Sequence, residues 1–105
     1  MSERIKIEME KSVHTEDYGL VVRLLKESRR EAGLTQVQLA EMLRQSQSFV
    51  SKYENGDTRL DILQLRTVCG TLGVTLAEFV DRLEEAFEAK AKDQKSRARS
   101  SSTRR

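Results

Sequence analysis

The stretch RQSQSFVSKYENG, residues 44–56, gathers amide, hydroxyl and ammonium groups around a single acid, Glu54. On a helical wheel at about 100° per residue, Gln47, Ser48, Ser51, Lys52 and Asn55 fall within one arc of about 140°. Phe49, Val50 and Tyr53 fall on the opposite arc, and Glu54 sits at its edge. The polar arc carries no carboxylate, whereas a solvated helix face ordinarily mixes in Asp and Glu. Its groups suit the edges of nucleobases. Gln can make a bidentate pair with adenine, Lys can reach guanine acceptors or a phosphate, and Ser can bond either a base edge or the backbone. An α-helix of this kind fits the major groove of B-DNA. The bland reading is a face that meets only water.

The neighbouring elements decide whether such a helix can be held out to a ligand. The chain has no proline, so glycines and capping residues mark its breaks. Thr15 can cap a first helix, with Glu16 and Asp17 near its positive end. Val21, Val22, Leu25 and Ala32 recur at helical spacing, and Gly33 supplies a left-handed stop. Thr35 with Gln38 forms a capping box for a second helix carrying Val37, Leu39, Ala40 and Leu43. Ser46 opens the third, which Gly56 closes. Asp61 with Gln64 starts a fourth through Ile62, Leu63, Leu65, Val68, Cys69 and Leu72, ended by Gly73. Thr75 with Glu78 opens a fifth through Leu76, Phe79, Val80, Leu83 and Phe87.

The expectation is therefore an all-α fold of five short helices over residues 15–87, each marginal alone and dependent on a shared core. Short connections make sequence neighbours pack as spatial neighbours. Residues 1–14 read as a flexible leader. Residues 88–105 read as a disordered basic tail, serine-rich and with seven basic against two acidic residues. The second and third helices, joined by a short turn, form a helix-turn-helix unit. Ala40 is small enough for the crossing point, and Leu43 and Val50 seal the joint. Gln36 lies in the first turn of the second helix, where backbone N–H groups and its own amide can hold a phosphate.

Bulk composition narrows the function classes. With 105 residues the chain makes one small domain. No run of 18 apolar residues is present, so no membrane span is expected, and no secretion leader is visible. One cysteine, Cys69, and one histidine, His14, provide neither a disulfide nor a metal site. No nucleophile–base set or phosphate-binding loop is present either, so no enzyme activity and no cofactor are expected. These features point to the cytoplasm. Cys69 falls on an apolar stripe and reads as a small hydrophobe. Phe49 reads as a core-edge residue.

The motifs GLTQVQLAEML, SQSFVSKYENG and LGVTLAEF, over about residues 20–84, resemble the Cro/repressor or XRE-type helix-turn-helix family, and KSVHTEDY resembles the lead-in of its small stand-alone members. The resemblance implies a compact, lambda-repressor-like five-helix domain that binds double-stranded DNA, usually as a homodimer on a palindromic operator. It makes the third helix the recognition helix. Gln47, Ser48 and Lys52 become base-reading residues. Gln36, Ser51 and Asn55, the last with the N–H groups near Gly56, become phosphate contacts. Arg29 and Glu54 match positions that are often joined by a partly buried ion pair.

One departure stands out. The family usually has glycine after the second helix, and this chain has Arg44, which must turn left-handed at a cost of about 1 kcal/mol or more. Arg44 also places a positive charge where the DNA backbone would pass. The stripe Phe79, Val80, Leu83 and Phe87 is longer than one domain's core requires and reads as a dimer seam. Transcriptional regulation, most often repression, is the implied role. The alternative is an antitoxin that binds a toxin protein and regulates its own operon.

Overall fold

The computed structural model describes residues 16–103, with side-chain surroundings from 17 to 93. The leader at 1–14, with His14, and the proposed cap Thr15 lie outside the described residues. Five helices follow in order: α1 Glu16–Glu31, α2 Gln36–Leu43, α3 Gln47–Glu54, α4 Ile62–Thr71 and α5 Leu76–Thr103. No strand occurs among the described residues.

The caps work as the side chains dictate. Thr35 Oγ1 accepts from the Gln38 N–H at 3.1 Å, and the Thr35 N–H donates to Gln38 Oε1 at 2.9 Å. Asp61 and Gln64 repeat the exchange at 2.7 and 2.9 Å, and Thr75 and Glu78 at 3.0 and 2.9 Å. Ser46 caps α3 by accepting from the Phe49 N–H at 3.2 Å. Each of these satisfies donors that a helix start leaves orphaned. Where α1 ends, Gly33 takes φ 75°, and the Leu34 N–H reaches back to the Arg29 carbonyl at 3.2 Å. After α2 the same job falls to Arg44, the one described non-glycine residue at positive φ (57°). Its own N–H bonds the Glu41 carbonyl at 3.1 Å, and the Gln45 N–H closes on Ala40 at 2.9 Å. The left-handed cap that glycine usually supplies is thus made by arginine.

Leu25, Leu39, Ala40, Val50, Tyr53, Val68, Cys69, Leu72 and Phe79 form the buried core. Burying each large apolar side chain is worth about 1.5–3 kcal/mol. This core, rather than intrinsic propensity, holds the short α2, α3 and α4 in place. Phe49 packs at the rim, edge-on to Tyr53 with ring centroids 5.7 Å apart. Burial pushes the Cys69 thiol up to about 11. It therefore stays protonated near neutrality and behaves as a small apolar residue.

Two placements differ from the sequence reading. Phe79 is 1% exposed inside the chain's own core, so it offers no surface to a second copy; of the expected seam, Val80 is exposed and Leu83 and Phe87 are half-buried. Ile62 and Leu63, placed among the apolar residues of the fourth helix, are 64% and 72% exposed, because the first turn of α4 projects past the core that Val68 and Cys69 enter. α5 runs on past residue 87 to Thr103. The segment beyond residue 87 lacks Pro and Gly, which lets a helix already anchored on the core propagate. Lys90 ties it to α1 through Asp17 at 3.1 Å.

Candidate functional site

α3 is eight residues long, enough for one buried and one free face. Val50 and Tyr53 anchor the buried face with no exposed surface. On the other face Gln47, Ser48, Lys52 and Asn55 are exposed and Ser51 is half-buried. The one acid of the helix, Glu54, is withdrawn to 4% exposure. What α3 shows to solvent is therefore amide, hydroxyl and ammonium, with no carboxylate among them.

Glu54 is withdrawn because Arg29 of α1 meets it. Arg29 Nε donates to Glu54 Oε2 at 2.7 Å and Nη2 donates to Oε1 at 3.0 Å, a bidentate fork. Arg29 Nη1 donates to the Leu34 carbonyl at 2.8 Å, so the same guanidinium also fixes the turn that leads into α2. The hydrogen bonds to Glu54 raise the Arg29 pKa, and burial only partly opposes them. Burial likewise raises the Tyr53 phenol.

The network does not stop at the ion pair. Gln36 Nε2, at the start of α2, donates to Glu54 Oε1 at 2.9 Å. Gln47 Nε2, at the start of α3, donates to Gln36 Oε1 at 3.0 Å. The structure thus joins four residues, Arg29, Glu54, Gln36 and Gln47, that the sequence reading treated as an ion pair, a phosphate grip and a base reader. No sequence signal could have linked them, because the bonds span 25, 18 and 11 residues and depend on how three helices dock.

The remaining residues fall into place around this line. Arg44 is exposed in the α2–α3 turn. Asn55 Nδ2 lies 3.5 Å from Ser51 Oγ, at the limit of a hydrogen bond, so both polar side chains share one patch. The backbone near Gly56 needs a correction. The N–H groups of Asn55, Gly56 and Asp57 donate to the carbonyls of Ser51, Tyr53 and Lys52 at 2.9, 3.1 and 2.8 Å. They close the end of α3 and are already taken, while the Asn55 side chain is exposed. Arg23, Lys26 and Arg59, together with Asn55 and the acids Glu54 and Asp57, line an open groove of about 770 Å³ between α1 and the α3–α4 loop. Arg59 stacks over Tyr18 at 5.4 Å, and Arg23 pairs with Glu27 at 3.8 Å. Basic residues distributed over α1 and a loop leave no motif to read.

Comparisons with known proteins agree with this geometry. The helix-turn-helix family model matches residues 25–79, more than half of the chain. An XRE-family like protein from Pseudomonas syringae pv. tomato str. DC3000 is 37% identical, covers 74% of this chain and 95% of its own, and superposes with a TM-score of 0.67. The restriction–modification controller protein C.Esp1396I, in a mutant form, is 26% identical over 70% of this chain and 92% of its own, with a TM-score of 0.64. ClgR, the clp gene regulator of Corynebacterium glutamicum, shares the fold at 23% identity, 85% and 96% coverage and a TM-score of 0.68. A search of curated protein sequences found no match. No helix among the described residues is long and apolar enough to cross a membrane. The chain belongs to the XRE family of helix-turn-helix proteins, and it is a DNA-binding transcription regulator rather than an enzyme.

Proposed function

We propose that the chain works in the cytoplasm as a repressor, binding a palindromic operator as a homodimer with one α3 in the major groove of each half-site. The observation that carries this reading is the exposed polar face of α3, cleared of its one acid by the pair with Arg29. A carboxylate on that face would repel phosphate and exclude most base acceptors; burying it leaves donors and ambivalent groups. Gln47 and Ser48, at the N-terminal end of α3, and Lys52, one turn on, read base edges. Arg44, Ser51 and Asn55, with the one Gln36 amide hydrogen that Glu54 does not take, hold phosphates on either side and set the register.

The dimer follows from the small size of the contact. One domain of this size makes few phosphate contacts, and specific binding at cellular salt requires more. Two copies with α3 helices about 34 Å apart would meet successive major grooves on one face of the duplex. The exposed Val80, with the half-buried Leu83 and Phe87, supplies the seam on α5.

Selection of bound sites from random duplex DNA tests the reading. It should return an inverted repeat with half-sites about one helical turn apart. Recovery of no preferred sequence would refute it. Sedimentation at micromolar concentration tests the seam: wild type should run as a dimer and Val80→Asp as a folded monomer. A monomeric wild type that still binds its selected site tightly would remove the dimer from the account.

A further inference from the structure

The hydrogen-bond line from Arg29 to Gln47 has a direction, and the direction is chemically forced. A carboxylate offers acceptors only, whereas a glutamine amide offers an acceptor oxygen and two N–H hydrogens. Glu54 Oε1 stands 2.9 Å from the Gln36 amide, so Gln36 must turn its nitrogen inward. Its oxygen then faces outward. The Gln47 amide approaches that oxygen at 3.0 Å and must do so with its own nitrogen. Reversing either amide would set two oxygens, or two nitrogens, against each other.

The consequence lies at the tip of α3. Gln47 commits one of its two amide hydrogens to Gln36. It keeps an unused acceptor, Oε1, and one remaining hydrogen. Adenine presents one donor, N6–H, and one acceptor, N7, in the major groove, which is the complement of that set. Guanine presents two acceptors, O6 and N7, and would require two hydrogens.

We propose that Glu54 is a positioning residue for specificity: buried and out of reach of DNA, it orients Gln36 and through it Gln47, so that Gln47 selects adenine over guanine at one position of each half-site. The proposal rests on the reading that Gln47 faces a base. Arg29 belongs to the device because its fork holds the Glu54 carboxylate in place at both oxygens.

The test compares duplexes that differ only by A·T or G·C at the pair in question, by competition against a fluorescent selected site. Gln47→Ala comes first, as the check on the underlying reading: it should flatten preference at one pair and no other. If it flattens none, the base-reading role of Gln47 fails, and this proposal with it. In the wild type, adenine should be preferred roughly five- to hundredfold. Gln36→Met cuts the line without touching the ion pair and should bring that ratio within about threefold, with other positions unchanged. The charge-swapped variant Arg29→Glu/Glu54→Lys replaces an acceptor by a donor. It should reverse both amides and move the preference towards guanine. If that variant does not fold, Arg29→Met/Glu54→Gln strands no charge, frees the direction, and should lower the ratio as Gln36→Met does. A folded variant of either double type that keeps the full wild-type ratio would overturn the proposal while leaving the Gln47 reading intact. A second readout needs no DNA: the Gln47 side-chain NH2 signals in a ¹H–¹⁵N spectrum should move in Gln36→Met, and unmoved signals would also overturn it.

Discussion

Replacing Arg29 by methionine removes one side of a buried pair and leaves the other in place. The side chains of Arg29 and Glu54 are 9% and 1% exposed, so water cannot take over the role of either partner. The Arg29→Met chain would hold a carboxylate facing only the Gln36 amide, and the Leu34 carbonyl would lose its 2.8 Å donor. Breaking a buried ion pair from one side costs about 3–5 kcal/mol, because an uncompensated charge remains in a poor solvent. Against a total stability of about 5–15 kcal/mol for a domain, that brings the fold close to its limit. The double variant Arg29→Met/Glu54→Met should recover at least about 2 kcal/mol of the loss, since an apolar pair of similar volume is often as stable as the ion pair it replaces. Urea unfolding followed by circular dichroism at 222 nm gives both values, provided the denaturant slope stays constant. The reasoning fails if Arg29→Met costs less than 1 kcal/mol, or if the double variant is no more stable than the single one.

Three further outcomes are expected. Arg44→Gly relieves a left-handed arginine and should stabilise the fold by about 0.5–1 kcal/mol, less than the full strain because glycine also frees the unfolded chain; the same change should weaken DNA binding on all sequences alike and reduce the salt slope by about one. A destabilised Arg44→Gly, or an unchanged salt slope, would contradict the respective half. The Tyr53 hydroxyl is buried and has no protein hydrogen-bond partner among the described residues, so Tyr53→Phe should be neutral or stabilising by up to about 1 kcal/mol; a loss above 1 kcal/mol in urea unfolding would mean the hydroxyl is satisfied. The Thr75 N–H, with help from its hydroxyl, holds the Glu78 carboxyl below its ordinary value of 4.5. A depressed carboxyl stabilises above the unfolded value and loses that contribution as the pH falls through the folded one. Wild type should therefore lead Glu78→Gln in thermal unfolding at pH 6, and the lead should shrink as the pH falls below 4.5; a pH-independent difference would contradict this.

The parts of the fold written locally were legible in the residues. Thr35–Gln38, Asp61–Gln64 and Thr75–Glu78 announce helix starts because the cap and its return partner are three residues apart. The acid-free arc from Gln47 to Asn55 was visible on the same terms. What depends on docking was not legible. Ile62 and Leu63 sit on the helical stripe of α4 but face solvent, because periodicity says which side of a helix is apolar and not how far along its axis the core extends. Phe79 belongs to that core and not to a seam for the same reason. Glu54 is the instructive case. The wheel puts it at the edge of the buried side, yet its hydrogen-bond link to Gln47 requires α1, α2 and α3 to be already in place.

The central claim is that the exposed face of α3 enters the major groove, and intermolecular nuclear Overhauser effects in a complex with the selected duplex test it most directly. The account predicts cross-peaks from the Gln47, Ser48 and Lys52 side chains to major-groove protons such as the cytosine H5 or the thymine methyl. Cross-peaks confined to another surface of the domain, with the α3 face unperturbed by DNA, would contradict it.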